Sequence, residues 1–320
     1  MLSIGLVLGA GGIIGTAYHA GTLAALADQT GWDPRRATVI VGTSAGSGVG
    51  ATVRAGLPII DQFNRTVGRP TSPDTTRRIA GMPRLDLPGP QEMALRPVPA
   101  SPAMIARSVL RRGRVRPGIA VAGTMPRGRV PTAVMAERVN WLYDHHWPTD
   151  ALWICAVELG SGKRVVFGRN RHDADVGTAV AASSAIPGFF EPVALGGSEF
   201  IDGGAHSPTN ADLVADLHLD LVVVVSPMSA TRSAQGRDLQ SLNRGLHALT
   251  LAGEVRRIRE AGTPVLVLQP TSADRAVMGD QLMDPQRAGP AAEQAYLSVE
   301  GKLARDESRQ ATEILRAATS

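Results

Sequence analysis

One cysteine, Cys155, is all that this chain of 320 residues contains, so no intrachain disulfide can form. The fold must be held by its core, and a reducing compartment is the default expectation. Aromatic residues make up only 4% of the chain, which leaves few platforms for stacking against nucleic-acid bases. Lysine occurs only at Lys163 and Lys302, so almost all of the positive charge is arginine. No unbroken apolar run comes near the ~20 residues of a membrane-spanning helix; LVVVV at 221–225 shows the usual scale. The opening MLSIGLVLGAGG lacks the basic start and small-residue cleavage site of a secretory signal and reads instead as a first strand. These absences together predict a cytoplasmic globular protein.

What is present supports a large core: 43% of residues are hydrophobic and 19% charged. The charge is unevenly spread. Residues 61–130 carry 13 Arg against four acidic residues, a balance of +9, so the rest of a chain with formal net charge +4 carries −5. The same span holds ten of the 22 prolines and a single aromatic, Phe63. It predicts irregular structure with short helices, a Pro- and Arg-rich lid at about 61–140 lying over a sheet edge. Within it, SPAMIARSVLRRGRVR at 101–116 fits an anionic membrane surface as well as it fits a solvated lid face. Nucleic acid is not an expected partner.

Before the lid, the pattern is strand (4–9), small-residue helix, strand (37–42) and a second small-residue helix ending near Gly56 and Pro58. That order predicts a parallel sheet covered by helices. After the lid, LWICAVELGSGKRVVFG at 152–168 reads as a hairpin turning at Gly160–Gly162. A helix at about 174–185 stops before Pro187, strands are expected at 220–226 and 264–269, and an alanine-rich helix closes the chain from about 290 to 318. One α/β domain spanning 1–320, with the lid inserted and a helical C-terminal segment at about 285–320, accounts for the whole.

Three stretches carry chemistry. VGTSAGSGVG at 41–50 sets Ser44 in Gly-x-Ser-x-Gly between an apolar strand and a helix start. A serine hydroxyl needs a base and oxyanion donors to act as a nucleophile. Small neighbours at a sharp strand-to-helix turn allow the strained geometry that exposes such a serine; a helix N-cap is the plain alternative. LGAGGIIG at 8–15 is a glycine loop opening a helix, whose free N–H groups suit an oxyanion or a phosphate. A dinucleotide site fits poorly, because Gly-x-Gly-x-x-Gly read from Gly9 meets Ile14 at its third glycine and read from residue 10 starts on Ala10. EFIDGGAHSPTNADL from 199 mounts Asp202 at a strand end before two glycines, and the nearby Phe189 and Phe190 can keep a site dry.

Together these stretches resemble the patatin-like phospholipase family. Ala10-Gly11-Gly12-Ile13-Ile14-Gly15, after Gly9, looks like its oxyanion loop, and Gly42-Thr43-Ser44-Ala45-Gly46 like its nucleophile elbow. Ala182-Ser183-Ser184-Ala185-Ile186-Pro187 looks like its Ala-Ser-x-x-x-Pro block, and Asp202-Gly203-Gly204 like its Asp-Gly-Gly/Ala block. The resemblance covers roughly 4–60 and 150–230. It implies a three-layer α/β/α fold with a mostly parallel central sheet, and a serine acyl hydrolase of lipase, phospholipase or lysophospholipase type. In that reading Ser44 attacks an ester carbonyl, Asp202 takes its proton, and the Gly11 and Gly12 N–H groups hold the oxyanion, with no cofactor or metal. The partner implied is a lipid or other acyl ester, with peripheral membrane contact through 61–130 left open. Two departures stand out: Ala10 replaces a usual glycine, and Ile14 replaces a usual cation, which weakens the case for a phospholipid more than that for ester hydrolysis.

The alternatives are a catalytically weak or inactive lipid-binding member and a conventional Ser-His-Asp esterase drawing on His206, His218 or His247. His145-His146 beside Asp144, and His172 beside Asp173 and Asp175, lack metal-ligand spacing.

Overall fold

A computed structural model describes residues 2–85, 101, 117–144, 146–171, 173–230 and 239–319, without the side chains of Pro117 and 239–243. Of the expected lid, 86–100 and 102–116 thus lie outside the described residues, as do His145 and His172.

The centre is built from apolar runs too short for helices. Strands β1 (Ile4–Leu8), β2 (Val39–Thr43) and β7 (Leu221–Val225) are buried at every position, as expected of parallel strands covered on both faces. β1 lies parallel between β2 and β7, and β8 (Val265–Leu268) adds parallel to β7. Beyond β2 comes β3 (Ala151–Glu158), parallel to β2 through Thr43↔Cys155. β4 (Arg164–Phe167) returns antiparallel to β3, forming the hairpin expected at 152–168. β5 (Val193–Leu195) and β6 (Ser198–Asp202) form an antiparallel pair, and β6 also runs antiparallel to β3.

Alternation along the strands divides the core into two layers. Ile4, Leu6, Leu8, Ile40, Leu221 and Val223 face helices α1 (Gly12–Thr30), α2 (Ala45–Arg54) and α10 (Ala288–Leu303). Val7, Val39, Val41, Val222 and Val224 face Leu251, Val255 and Ile258 of helix α8 (Leu239–Glu260). The sheet thus lies between helices on both faces, the three-layer α/β/α arrangement that the sequence implies.

Around this frame sit α3 (Ile59–Thr66), α4 (Pro73–Ile79), α5 (Pro117–Thr124), α6 (Ala133–Asn140), α7 (Val176–Ser183), α9 (Ser272–Met278) and α11 (Arg309–Ala317). Of the region expected to hold short helices, α3 to α6 are the described part. The closing helix differs from expectation. It is two helices, α10 and α11, separated by an extended Arg305 and a 3-10 turn at Asp306–Ser308. A single helix over 290–318 would be roughly 43 Å long, whereas the break returns Leu315 and Ala318 to the core beside α1. Helix α8, the longest, was not expected from the sequence.

Candidate active site

Where β2 and β6 meet β3 decides the site. β2 pairs with β3 as far as Thr43↔Cys155 and then leaves the sheet, while β6 pairs along the same edge as far as Asp202↔Ala156. Adjacent residues of β3 therefore anchor the last residue of β2 and the last of β6. Ser44 follows one and Asp202 is the other, so strand register alone brings them together across 158 positions of chain. The Ser44 hydroxyl stands beside the Asp202 carboxylate, near enough to hold down the carboxyl's pKa, and both residues are buried.

Ser44 sits at φ 52 and ψ −121, at the N-cap of α2. A side chain at positive φ costs about 1–3 kcal/mol and is retained where the surroundings impose it. Here the Ser44 N–H donates to Ser183 Oγ (2.9 Å), and that hydroxyl donates to the Cys155 carbonyl (2.6 Å), tying the turn to β3. The turn also brings α2 against β1: a Cβ on Gly46 would stand 2.0 Å from the Leu8 carbonyl oxygen. Gly42 pairs with both Leu8 and Ile154 inside the sheet. One residue before Ser44, the Thr43 hydroxyl accepts from Asn210 Nδ2 (3.1 Å). Asn210 Oδ1 in turn accepts from His206 Nδ1 (3.0 Å) and from Arg164 (3.2 Å), whose guanidinium forks onto Asp212 at 2.7 and 2.9 Å.

Asp202 has an ordinary backbone, φ −47 and ψ 130. Its N–H donates to the Ala185 carbonyl (3.0 Å), and its Oδ1 accepts from the Gly204 N–H (2.7 Å), so Gly203–Ala205 folds into one 3-10 turn. Burial pushes the carboxyl up to about 6, with the neighbouring Ser44 hydroxyl and the bond from the Gly204 N–H holding it from rising further. It is thus mostly ionised at neutral pH and has more affinity for a proton than an exposed aspartate. Pro187 opens the turn in which the Phe189 and Phe190 N–H groups donate to the Ile186 carbonyl. The turn places Phe190, Val130 and Ala185 in an apolar cluster flanked by Ile186, Phe189 and Met283. That cluster borders Asp202 through Ala185.

The glycine loop runs from β1 to α1 on the other side of Ser44. Gly9 N–H donates to the Val225 carbonyl (2.9 Å), Ala10 N–H to Pro208 (2.8 Å) and Ile14 N–H to Leu282 (3.0 Å). Gly15 N–H bonds the Gly11 carbonyl (2.8 Å), closing the first turn of α1. The N–H groups of Gly11 and Gly12 have no acceptor among the described residues, as the start of a helix leaves them. Gly12 takes φ +62 with the Leu282 carbonyl packed against it, a place with no room for a side chain. Ala10 fits beside the Asp-Gly-Gly turn: its Cβ lies 3.5 Å from where a Gly204 Cβ would be. The Ile14 side chain is wholly buried in the core.

Every residue expected at the site therefore converges on one end of the sheet. Sequence reasoning missed the supports: the Ser183 hydroxyl under Ser44, the carbonyls of Pro208 and Leu282 that hold the loop, and Asn210 behind Thr43. Of the three histidines, His206 is engaged with Asn210, His218 is exposed, and His247 is carried by α8. Among the described residues no group of three or more His, Cys, Asp or Glu is placed to hold a metal, and no helix is long and apolar enough to cross a membrane.

The family model of patatin-like phospholipases matches residues 6–215, a span that includes the loop, Ser44, Ser183 and Asp202. Among solved structures, the chain is similar to VipD from Legionella pneumophila, at 13% identity and a TM-score of 0.42, with 99% of this chain and 67% of that one covered. It is similar also to the type III effector protein ExoU, at 17% identity and a TM-score of 0.37, covering 96% of this chain and about half, 53%, of the other. No curated protein matches it. With two thirds of its length matched by the family model, from β1 to beyond Asp202, the chain belongs to the patatin-like phospholipase family.

Proposed function

We propose that this protein is a serine acyl hydrolase that cleaves fatty acyl esters through a Ser44–Asp202 dyad and an acyl-enzyme intermediate. Family membership supports a lipid-hydrolysing enzyme. The finer reading is carried by one observation, the Ser44 hydroxyl set beside the buried Asp202 carboxylate at a strained elbow by the register of β2 and β6 on β3.

In this reading Ser44 Oγ attacks the ester carbonyl carbon while its proton passes to Asp202. The carbonyl oxygen gains negative charge facing the Gly11 and Gly12 N–H groups, aided by the positive end of α1. Collapse breaks the bond to the alcohol, which leaves with the proton from Asp202, and the acyl group stays on Ser44. Asp202 then takes a proton from water as the water attacks the acyl carbon, and returns it to Ser44 as the fatty acid departs. The apolar cluster of Phe190, Ile186, Phe189 and Met283 suits an acyl chain. Ile14 offers no cation to a phosphate, so lysophospholipids and neutral acylglycerols are equal candidates.

The same reading treats 1–320 as one catalytic unit, with the lid insertion at about 61–140 and the helical segment at about 285–320. It places peripheral membrane contact at the rim formed by α5. Gly118 packs on the Ala205 carbonyl, three residues from Asp202, and Met125 reaches Gly188, while Val121 and Met125 stay exposed next to Arg127 and Arg129. Binding to anionic but not neutral vesicles is the expected result, and equal partitioning to both would remove the arginines from the proposal. A Ser-His-Asp esterase is disfavoured because it is Asp202 that stands beside the Ser44 hydroxyl, while His206 is engaged with Asn210 and His218 is exposed.

Turnover on a series of aryl acyl esters, with fluorophosphonate labelling of the same samples, tests the assignment. Ser44→Ala should lose both at unchanged fold. A folded wild type that neither turns over nor labels, with or without vesicles, would instead favour a lipid-binding member without activity.

A further inference from the structure

We propose that His19 is a positioning residue for the oxyanion loop, holding the Gly9 carbonyl so that the Gly11 and Gly12 N–H groups stay turned toward Ser44. The proposal rests on the hydrolase reading above for its kinetic consequence, though not for its geometry.

His19 lies on α1, two turns after Gly12, and is fully buried. Its Nε2 is 2.7 Å from the Gly9 carbonyl oxygen. A carbonyl only accepts, so Nε2 carries the hydrogen. Burial lowers the ring to about 4, so at neutral pH it is uncharged and Nδ1 is a bare acceptor. Nδ1 has no hydrogen-bond partner among the described residues. An unpartnered buried acceptor is a cost that an apolar side chain of the same size would avoid. What the imidazole contributes is therefore the bond made by its other nitrogen.

That bond completes a clamp on a single peptide unit. The Gly9–Ala10 peptide is trans, so its C=O and N–H point in opposite directions. The C=O is held by His19 from α1, and the N–H by the Pro208 carbonyl, at 2.8 Å. Pro208 is itself fixed, because the Thr209 hydroxyl and the Ala211 N–H donate to the Glu254 carboxylate of α8, at 2.5 and 3.0 Å. Helices on opposite faces of the sheet thus set the plane of one peptide. The next two N–H groups along the chain are those of Gly11 and Gly12. With the C=O released, the Gly9–Ala10 plane can rotate at a glycine, and the following donors rotate with it.

His19→Met and His19→Gln separate this role from packing. Both side chains resemble histidine in reach, and only the amide of Gln can donate where Nε2–H stood. Measured on an aryl ester and normalised to sites titrated by a fluorophosphonate, the Met variant should lose about tenfold or more in kcat, a part of what an oxyanion donor is worth. KM should stay within about twofold, since the loop acts on the developing oxyanion and not on the ground-state ester. The Gln variant should recover most of kcat at a Tm close to that of the Met variant. A Met variant with wild-type kcat, or Met and Gln variants that fall together, overturns the proposal. If the Met variant does not fold, His19→Asn, too short to reach Gly9, takes its place against Gln. A wild type without turnover would undo the hydrolase reading alone. The Gly11 and Gly12 amide resonances then decide: they should shift in the Met variant and not in the Gln variant, and their staying put in both overturns the clamp.

Discussion

Ser44 and Asp202 stand at the ends of two strands on the same edge of β3, yet the fold holds them at different kinds of cost. For Ser44 the cost is conformational: a side chain at φ 52, imposed by a turn whose N–H is tied to Ser183 and whose helix is pressed onto Leu8. For Asp202 it is electrostatic: a relaxed backbone carrying a carboxyl that burial pushes up to about 6. The difference matches the roles proposed for them. A nucleophile has to project away from its strand, which only the backbone can arrange. A base has to hold a proton briefly near neutral pH, which only its surroundings can arrange.

The largest effect expected is the loss of the electrostatic half. Asp202→Asn keeps the shape and the bond from Gly204 but cannot accept a proton, so kcat should fall by roughly 10²–10⁴, the usual worth of a positioned base. Wild-type kcat/KM should rise with pH through a midpoint near 6, following ionisation of the carboxyl. The same substitution should stabilise the fold at neutral pH. Because the folded carboxyl lies above its ordinary value of 3.8, its protonated form is favoured by folding. That contribution is complete below pH ~4 and is lost as pH rises through about 6, a difference of at most about 3 kcal/mol. Subtracting the Asn variant from wild type in urea melts across this window isolates it. A flat difference would mean that Asp202 carries no such burden.

The conformational half should break through its support first. A methyl at Gly46 meets the Leu8 carbonyl at 2.0 Å, and both belong to buried backbone with nowhere to go. Gly46→Ala should cost several kcal/mol, beyond the usual range for one substitution. Denaturant midpoints would show it, and a loss under about 1 kcal/mol would mean that the elbow is looser than its geometry.

Both motifs were legible in the sequence because each is local. A strained turn demands small residues within five positions, and Gly42 to Gly46 supply them; Asp202 before two glycines is a similarly short signal. The β strands were legible from apolar runs such as Leu221–Val225. The supports were not, because they are single bonds between distant segments: Ser44 to Ser183 spans 139 positions and leaves no periodic trace. Ser183 stood inside a recognised block without a role. Helix α8 was not expected from the sequence, although Leu251, Val255 and Ile258 form a stripe with helical spacing. Nor was the break at Arg305. Helix-forming residues continue through it, and what turns the chain is the place in the core that Leu315 fills.

The smallest effect tests the comparison most closely. If the cost at residue 44 is in the backbone, it depends on the Cβ and not on the hydroxyl. Ser44→Ala and Ser44→Gly both remove the proposed nucleophile and both take the hydroxyl away from beside Asp202, so neither should turn over ester. They differ in one methyl group at a positive φ, where glycine is at ease and alanine is not. Against the strain, glycine gives the unfolded chain more freedom, which offsets part of the gain. The glycine variant should still be the more stable of the two by about 1 kcal/mol, read as a difference in urea midpoint at equal slope. Alanine equal to or above glycine would place the cost of the elbow elsewhere than in the backbone of residue 44, and the contrast between the two halves of the proposed dyad would fail with it.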